Sequence, residues 1–369
     1  MQQLYFIKKT KLEWREVARP QISHPQQAIV RPFSVSKCDL DDAFLFNNIN
    51  LKIRLGNMLG LIDPFYKSTF GNLLKGPFAF GHECVAEVVE VGEGVSKFTV
   101  GDVVSVPFQI SCGTCLSCQT GLTSACTDTP LISTYGFGKH LQFGGAMSDF
   151  IAVPYADAML LKIPRHVNPI HLASLSDNIP DAFRHLGEIE SNPKQSILIV
   201  AGKAKSVGIY ALMLAKALGV VEVDYLDDDK ERVDIAAKLK ADSVFTSCRQ
   251  LTKKYDLVID TSSTSDGLTT AIKSVRNFGT VSSSGIYIKK PQLSLIQMYA
   301  KGVTFKIGFA NARTDAERLL KLMDTVNIPF ELATTKLGAW ENAEDAFLNE
   351  TTKVIVTRKP LSETGHLIY

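Results

Sequence analysis

SILIVAGKAKSVGIYALMLAKALGVVEVDYLDDD, residues 196–229, decides the fold of this chain. An unbroken aliphatic run, a glycine-bearing turn, an amphipathic stretch and a second apolar run ending in aspartates form a strand–helix–strand unit. Strands apolar on both faces are covered on both faces, which means a parallel sheet sandwiched by helices. The turn Gly202-Lys203-Ala204-Lys205-Ser206-Val207-Gly208 lies where backbone amides and the helix dipole receive a pyrophosphate. Its glycines are six apart, with Ala204 between them, one residue longer than G-x-G-x-x-G. By itself it equally fits an ordinary strand-to-helix turn. Asp227 closes the second strand nineteen residues beyond Gly208, where a carboxylate accepts hydrogen bonds from ribose hydroxyls. Its other reading is a helix cap before Lys230. Asp228 and Asp229 follow it, so a 2′-phosphate is repelled and NAD is favoured over NADP.

Outward from this unit the same alternation continues through KERVDIAAKLKA (230–241), YDLVIDTS (255–262) and GTVSSSGIY (279–287). Upstream of residue 163 the texture differs. VAEVVEVGEGV (85–95), GDVVSVP (101–107) and DFIAVP (149–154) are short β-branched runs broken by Gly, Pro and Asp, as in an antiparallel β domain. Beyond residue 310 a helical stretch, TDAERLLKLMDTV, precedes a strand-like TKVIVTR. The expected division is a catalytic domain over 1–163, a cofactor domain over 164–310 and a return to the first domain over 311–369. At 369 residues, two domains are also what length suggests.

Lys plus Arg number 40 against 38 Asp plus Glu, without runs of one sign, so no nucleic-acid or anionic-membrane partner is implied. No stretch approaches eighteen or so uninterrupted apolar residues, and the first residues mix charge with apolar side chains. A cytoplasmic location is expected.

Four of the seven cysteines crowd into ISCGTCLSCQTGLTSAC (110–126), as Cys112, Cys115, Cys118 and Cys126. That spacing gathers four thiolates at a closed tetrahedral zinc site, which holds structure and does no chemistry. Cys38, in Cys-Asp-Leu-Asp, and His82, in Gly-His-Glu, are further ligand candidates with acids beside them to orient a metal ligand. Cys84 and Cys248 read as packing cysteines.

Taken in order, CxxD, GHE, VGxGVxxFxxGDxV, the four-cysteine lobe, the glycine turn and the Asp-terminated strand resemble the zinc-dependent medium-chain alcohol dehydrogenases, over roughly residues 20 to 358. The resemblance implies an α/β protein: a GroES-like, mostly antiparallel β catalytic domain plus a Rossmann, doubly wound parallel-sheet cofactor domain. It implies a catalytic zinc held by Cys38, His82 and Asp177, beside the structural zinc. Asp177 enters because Leu175-Ser176-Asp177 looks like the corresponding segment of glutathione-independent formaldehyde dehydrogenases. One thiolate, one carboxylate and a neutral imidazole balance the zinc charge. A cap role for Asp177 is the competing reading, with Asp181 or His171 as rival ligands. By the same resemblance Glu83 lies behind the zinc and Asp41 orients His82. Gly202, Ser206 and Val207 belong to the pyrophosphate turn, Arg232 touches the adenosine ribose and Lys353 reaches the pyrophosphate. Ser262, Gly285 and Tyr287 fall near the nicotinamide. The implied reaction moves a hydride between an alcohol held at the zinc and C4 of NAD, in a homodimer or homotetramer.

Two departures bear on activity. Leu40 stands two positions after Cys38, where the family carries a Ser or Thr hydroxyl that starts the proton relay, and leucine neither donates nor accepts. Water or Asp39 must then carry the proton, or simple alcohols turn over slowly. An apolar insert over 46–76 lengthens the interval between Cys38 and His82, and either covers the cleft, joins a subunit interface or packs on its own domain. With Tyr135, Phe137 and Phe143 it suits a bulky apolar alcohol or aldehyde. Polyol or amino-alcohol oxidation, and a non-catalytic zinc- and NAD-binding protein, are the alternatives.

Overall fold

The computed structural model describes residues 1–47, 49–62, 76–137, 143–187 and 194–364. The strand–helix–strand unit opens a six-stranded parallel sheet. In chain order its strands are Ser196–Val200, Glu222–Leu226, Ser243–Phe245, Tyr255–Asp260, Val275–Ser283 and Thr304–Ile307. In space they run third, second, first, fourth, fifth, sixth. This is the doubly wound order, and it reverses direction between the first and fourth strands, where a crevice opens beyond their carboxyl ends. Register sets Val200 level with Leu226 and Asp260, so the loops at Gly202, Asp227 and Ser262 rise from one edge. Two glycines let the turn sit close to that edge. A Cβ on Gly202 would lie 2.8 Å from the Ser262 Cα, and one on Gly208 would lie 2.9 Å from the Thr261 hydroxyl. Here the turn keeps the two glycines that strand contact demands.

Before and after this sheet the chain builds a seven-stranded sheet. Its central strand, Ala28–Ser36, pairs antiparallel with Glu83–Val91, with Ile151–Val153 and with Val354–Thr357. The last of these comes from the carboxyl-terminal segment, so the chain returns to its first sheet. Within that sheet one pair, Lys336–Ala339 with Val354–Thr357, is parallel.

A bridging segment joins the two halves. A 3₁₀ stretch, Pro169–Ser176, begins where the Asn168 side chain accepts from the Ile170 amide, and helix Asn178–Arg184 follows directly. Leu172, Leu175 and Ile179 pack with Phe33 and Val85 of the antiparallel sheet and with Ile197 and Ile209 of the parallel unit. Ser176 Oγ donates to the Cys84 carbonyl (2.9 Å) and accepts from the Cys84 amide (3.0 Å). The segment is thereby fixed against the strand that begins at Glu83.

Part of the insert is a helix, Ile49–Met58. Ile53 is buried, and Ile62 forms a bridge with Lys289 of the other half, while Leu55, Met58, Leu59 and Leu61 are exposed. Residues 48 and 63–75 of the insert lie outside the described residues. Among the described residues no helix is long and apolar enough to cross a membrane.

Candidate active site

The bridging segment decides the candidate metal cluster. Asp177 ends the 3₁₀ stretch and precedes helix Asn178–Arg184, yet its side chain caps neither. Its carboxylate instead faces Cys38 and His82, with Oδ2 3.2 Å from the Cys38 Sγ and 3.2 Å from the His82 Nε2. The ligand atoms of all three residues lie within 4.8 Å of one another. The rivals are engaged elsewhere: Asp181 pairs with Arg184 at 2.6 Å, and His171 bonds Thr334 at 2.9 Å.

The charges around this point call for a cation. Burial, then the Asp177, Glu83 and Asp41 carboxylates, pushes the Cys38 thiol well above its ordinary range. Burial likewise raises Asp41 to about 7. Burial alone would lower His82, but Asp41 and Asp177 outweigh it and raise the imidazole. Asp41 Oδ1 faces His82 Nδ1 at 3.8 Å, and neither atom has a hydrogen-bond partner. The other Asp41 oxygen accepts from the Cys38 amide (3.0 Å), holding the ligand loop. A divalent ion with soft sulfur, imidazole and carboxylate donors fits this set and relieves the crowding.

Behind the cluster Glu83 is wholly buried. It accepts from Lys353 Nζ (2.8 Å), Ser174 Oγ (3.0 Å), the Asn178 amide (3.1 Å) and the Ser36 hydroxyl. Burial works to raise its carboxyl, but the Lys353 and His82 charges prevail and hold it below the ordinary value. The expectation that Lys353 reaches the pyrophosphate is therefore corrected. Its ammonium is wholly buried and bound to Glu83 and to the Lys37 carbonyl (2.9 Å), because Val354–Thr357 inserts into the antiparallel sheet next to Ala28–Ser36. Asn178, with its amide turned to satisfy its neighbours, donates to Asp177 Oδ2 (3.2 Å) and accepts from Lys353 (3.0 Å). Asn178 and Lys353 are the supporting residues that sequence reasoning missed in these roles, since nothing in residue type or spacing predicts a 270-residue ion pair.

In the four-cysteine lobe the sulfurs of Cys112 and Cys118, and those of Cys115 and Cys126, are 4.0 Å apart, and the four ligand atoms lie within 4.8 Å. All four are free thiols. A tetrahedron with metal–sulfur bonds near 2.3 Å has edges of about 3.8 Å, so the lobe has the dimensions of a zinc site and not of disulfides. Burial pushes the Cys112 thiol up, and the amides of Thr114 and Cys115, which donate to its sulfur (3.4 and 3.3 Å), oppose that shift in part. The lobe docks on helix Ala312–Met323, where Asn311 Oδ1 accepts from Ser124 and Thr314 donates to the Gly121 carbonyl.

At the crevice lies a cavity of about 740 Å³, lined by Gly202, Lys203, Asp227, Arg232 and Ser262 among others. Asp227 and Arg232 do face it, but they are bonded to each other: Nε to Oδ2 at 2.6 Å and Nη2 to Oδ1 at 2.8 Å. Tyr225 and the Asp229 amide complete the shell of Asp227 (3.0 and 3.1 Å). Ser262 bonds Asp260 at 2.6 Å, and the Tyr287 hydroxyl also reaches Asp260, its ring lying over Gly285. Ser206 and Val207 do not present free amides, because both donate to Asp39. Asp39 is thus turned toward the helix. Phe137 and Phe108 stack beside His82, with ring centroids 4.6 and 5.6 Å away. Tyr135 is not a cleft residue; it is buried and bonds the Ala152 carbonyl.

Residues 26–165 match the alcohol dehydrogenase GroES-like domain, and residues 206–325 match the zinc-binding dehydrogenase domain. The first match holds Cys38, His82 and the four-cysteine lobe and the second holds Asp227, Arg232 and Ser262, while Asp177 and Gly202 lie between the two. The chain belongs to the zinc-dependent medium-chain alcohol dehydrogenases. This medium-chain dehydrogenase is 28% identical over 278 residues to a probable zinc-binding alcohol dehydrogenase of Mycobacterium tuberculosis, covering 73% of this chain and 70% of the relative. It is 34% identical over 165 residues to a glutathione-independent formaldehyde dehydrogenase of Pseudomonas aeruginosa, covering 43% of this chain and 41% of the relative. Its fold superposes on the alcohol dehydrogenase TADH from Thermus sp. ATN1 with a TM-score of 0.79, at 25% identity and over 97% of this chain and all of the other.

Proposed function

We propose that the chain is an NAD-dependent alcohol dehydrogenase with two zinc ions, one held by Cys38, His82 and Asp177 and one by Cys112, Cys115, Cys118 and Cys126. The observation that carries this reading is the convergence of a thiol and an imidazole from the antiparallel half with a carboxylate from the bridging segment, their ligand atoms all within 4.8 Å of one another. When bound, zinc supplies a Lewis acid to the alcohol oxygen and NAD supplies the hydride acceptor. Asp41 and Glu83 act as positioning residues, the one holding the Cys38 loop and facing His82, the other anchoring Asn178 and Lys353. Phe108 and Phe137 wall the site beside His82 and exclude water, which supports a bulky apolar alcohol or aldehyde as substrate. Leu40 offers no hydroxyl, so cleft water or Asp39 takes the alcohol proton.

NAD is favoured because Asp227, Asp228, Asp229 and Glu231 line that end of the cavity, and Arg232 beside them is already paired. The catalytic part is assigned to 1–163 and 311–369 and the cofactor part to 164–310. A homodimer or homotetramer is supported by the exposed edge strand Thr304–Ile307 beside the exposed Leu295, Ile296 and Tyr299. A cytoplasmic location accords with this soluble chemistry. The test is zinc per chain in wild type and His82→Ala, together with NADH formation across alcohols, polyols and threonine. Two zincs falling to one, with an alcohol-dependent signal, is the expected result; one zinc in both proteins overturns the reading.

A further inference from the structure

We propose that Asp39 is a built-in anion occupying the pyrophosphate position, so that the dinucleotide binds only by displacing it, and that this residue sets cofactor affinity. The inference rests on the dinucleotide reading above. Asp39 follows Cys38 directly and reaches across from the antiparallel half to the start of helix Lys205–Ala217. Its Oδ2 accepts from the Ser206 amide (2.9 Å), the Val207 amide (3.3 Å) and the Ser206 hydroxyl (3.0 Å). A helix start is where a phosphate would take its amides, through the same donors and the same dipole. The rest of the turn offers little in exchange. The Lys203 amide donates to the Ser262 carbonyl (3.2 Å) and the Ala204 amide to the Thr261 carbonyl (3.0 Å).

Charge works in the same direction. Lys205, the nearest lysine on the helix, is bound to Asp42 at 2.7 Å, and Asp42 also holds Lys37 at 2.7 Å. Lys203 stands exposed at the mouth of the cavity. An incoming diphosphate thus meets a carboxylate already on the amides it needs, and two anions cannot share those two N–H groups without repulsion. Once displaced, Asp39 releases the loop that carries Cys38, so cofactor entry also frees the ligand loop from the helix.

The experiment is a fluorescence titration of NADH into the zinc-loaded, full-length protein, for wild type, Asp39→Asn and Asp39→Gly, with ADP-ribose and adenosine as competitors. Both variants are expected to bind NADH and ADP-ribose at least about tenfold tighter than wild type, since the competing charge-assisted hydrogen bonds are gone. Adenosine, which has no phosphate, is expected to bind all three alike. Unchanged or weaker NADH binding in both folded variants, against measurable binding by wild type, overturns the inference and leaves the dehydrogenase reading intact. If none of the three binds NADH, the dinucleotide reading falls and the inference falls with it. A gain that extends equally to adenosine also overturns it, because the effect would then not lie at the phosphates.

Discussion

Replacing Lys353 by methionine probes the buried pair behind the metal cluster. Both side chains of the Lys353–Glu83 pair are fully buried, 2.8 Å apart, and the substitution keeps most of the volume while removing the charge. Glu83 retains Ser36, Ser174 and the Asn178 amide but loses its cation. Removing one partner of a buried pair costs about 3–5 kcal/mol, because the remaining charge is left in a poorly polarisable interior. If the chain unfolds as one unit, that is a fall in melting temperature of about 4–6 °C.

The pH dependence gives the sign. In the wild type the Glu83 carboxyl lies below its ordinary value of 4.5. Its stabilising contribution is therefore complete above 4.5 and is lost as pH falls through the lower folded value. In Lys353→Met burial acts with less opposition and raises Glu83, so the variant gains stability as it takes up a proton. The gap between the two proteins should close as pH drops from 7 toward 5. Thermal and urea unfolding of the zinc-loaded proteins at both pH values measure it, with Glu83→Gln/Lys353→Met expected to recover most of the loss at pH 7. A loss below about 1 kcal/mol, or a gap that does not narrow in acid, would refute the reasoning.

Further expectations concern the metals and the cofactor. Asp177→Ala should lower zinc by one ion per chain in elemental analysis and cut turnover by about a thousandfold or more, since a Lewis acid supplies several kcal/mol; retention of both zincs would return the third ligand position to Asp181 or His171. Cys115→Ser should also cost one zinc, but together with a lowered melting temperature and separation of the lobe from helix Ala312–Met323, seen as faster hydrogen exchange at 112–126. Asp227→Asn should free the Arg232 guanidinium, now held by two hydrogen bonds, and shift preference from NADH toward NADPH by about tenfold or more in paired titrations. An unaltered ratio would mean that this pair does not select the adenosine ribose.

Local sequence determined what depends on neighbouring residues. The apolar strands and the amphipathic helix of 196–229 were legible because periodicity is a property of a single segment, and the four-cysteine lobe because its ligands share one short loop. Cys38 and His82 were legible as candidates from the acids beside them, but their joining with Asp177 was legible only through resemblance, as intervals of 44 and 95 residues carry no local signal. Tertiary structure decided the rest. Whether Asp177 caps a helix or faces Cys38 and His82 depends on how the bridging segment is pinned to Cys84, and whether Lys353 meets a phosphate or Glu83 depends on which sheet its strand joins. Asp39 is the sharpest case: its sequence context is that of a ligand loop, but its partners lie 167 residues away, at a helix start. A side chain's charge and shape are fixed by residue type. Its partner is fixed by the packing of distant elements, and that partner decides whether a carboxylate binds a metal, a ribose or the protein's own amides.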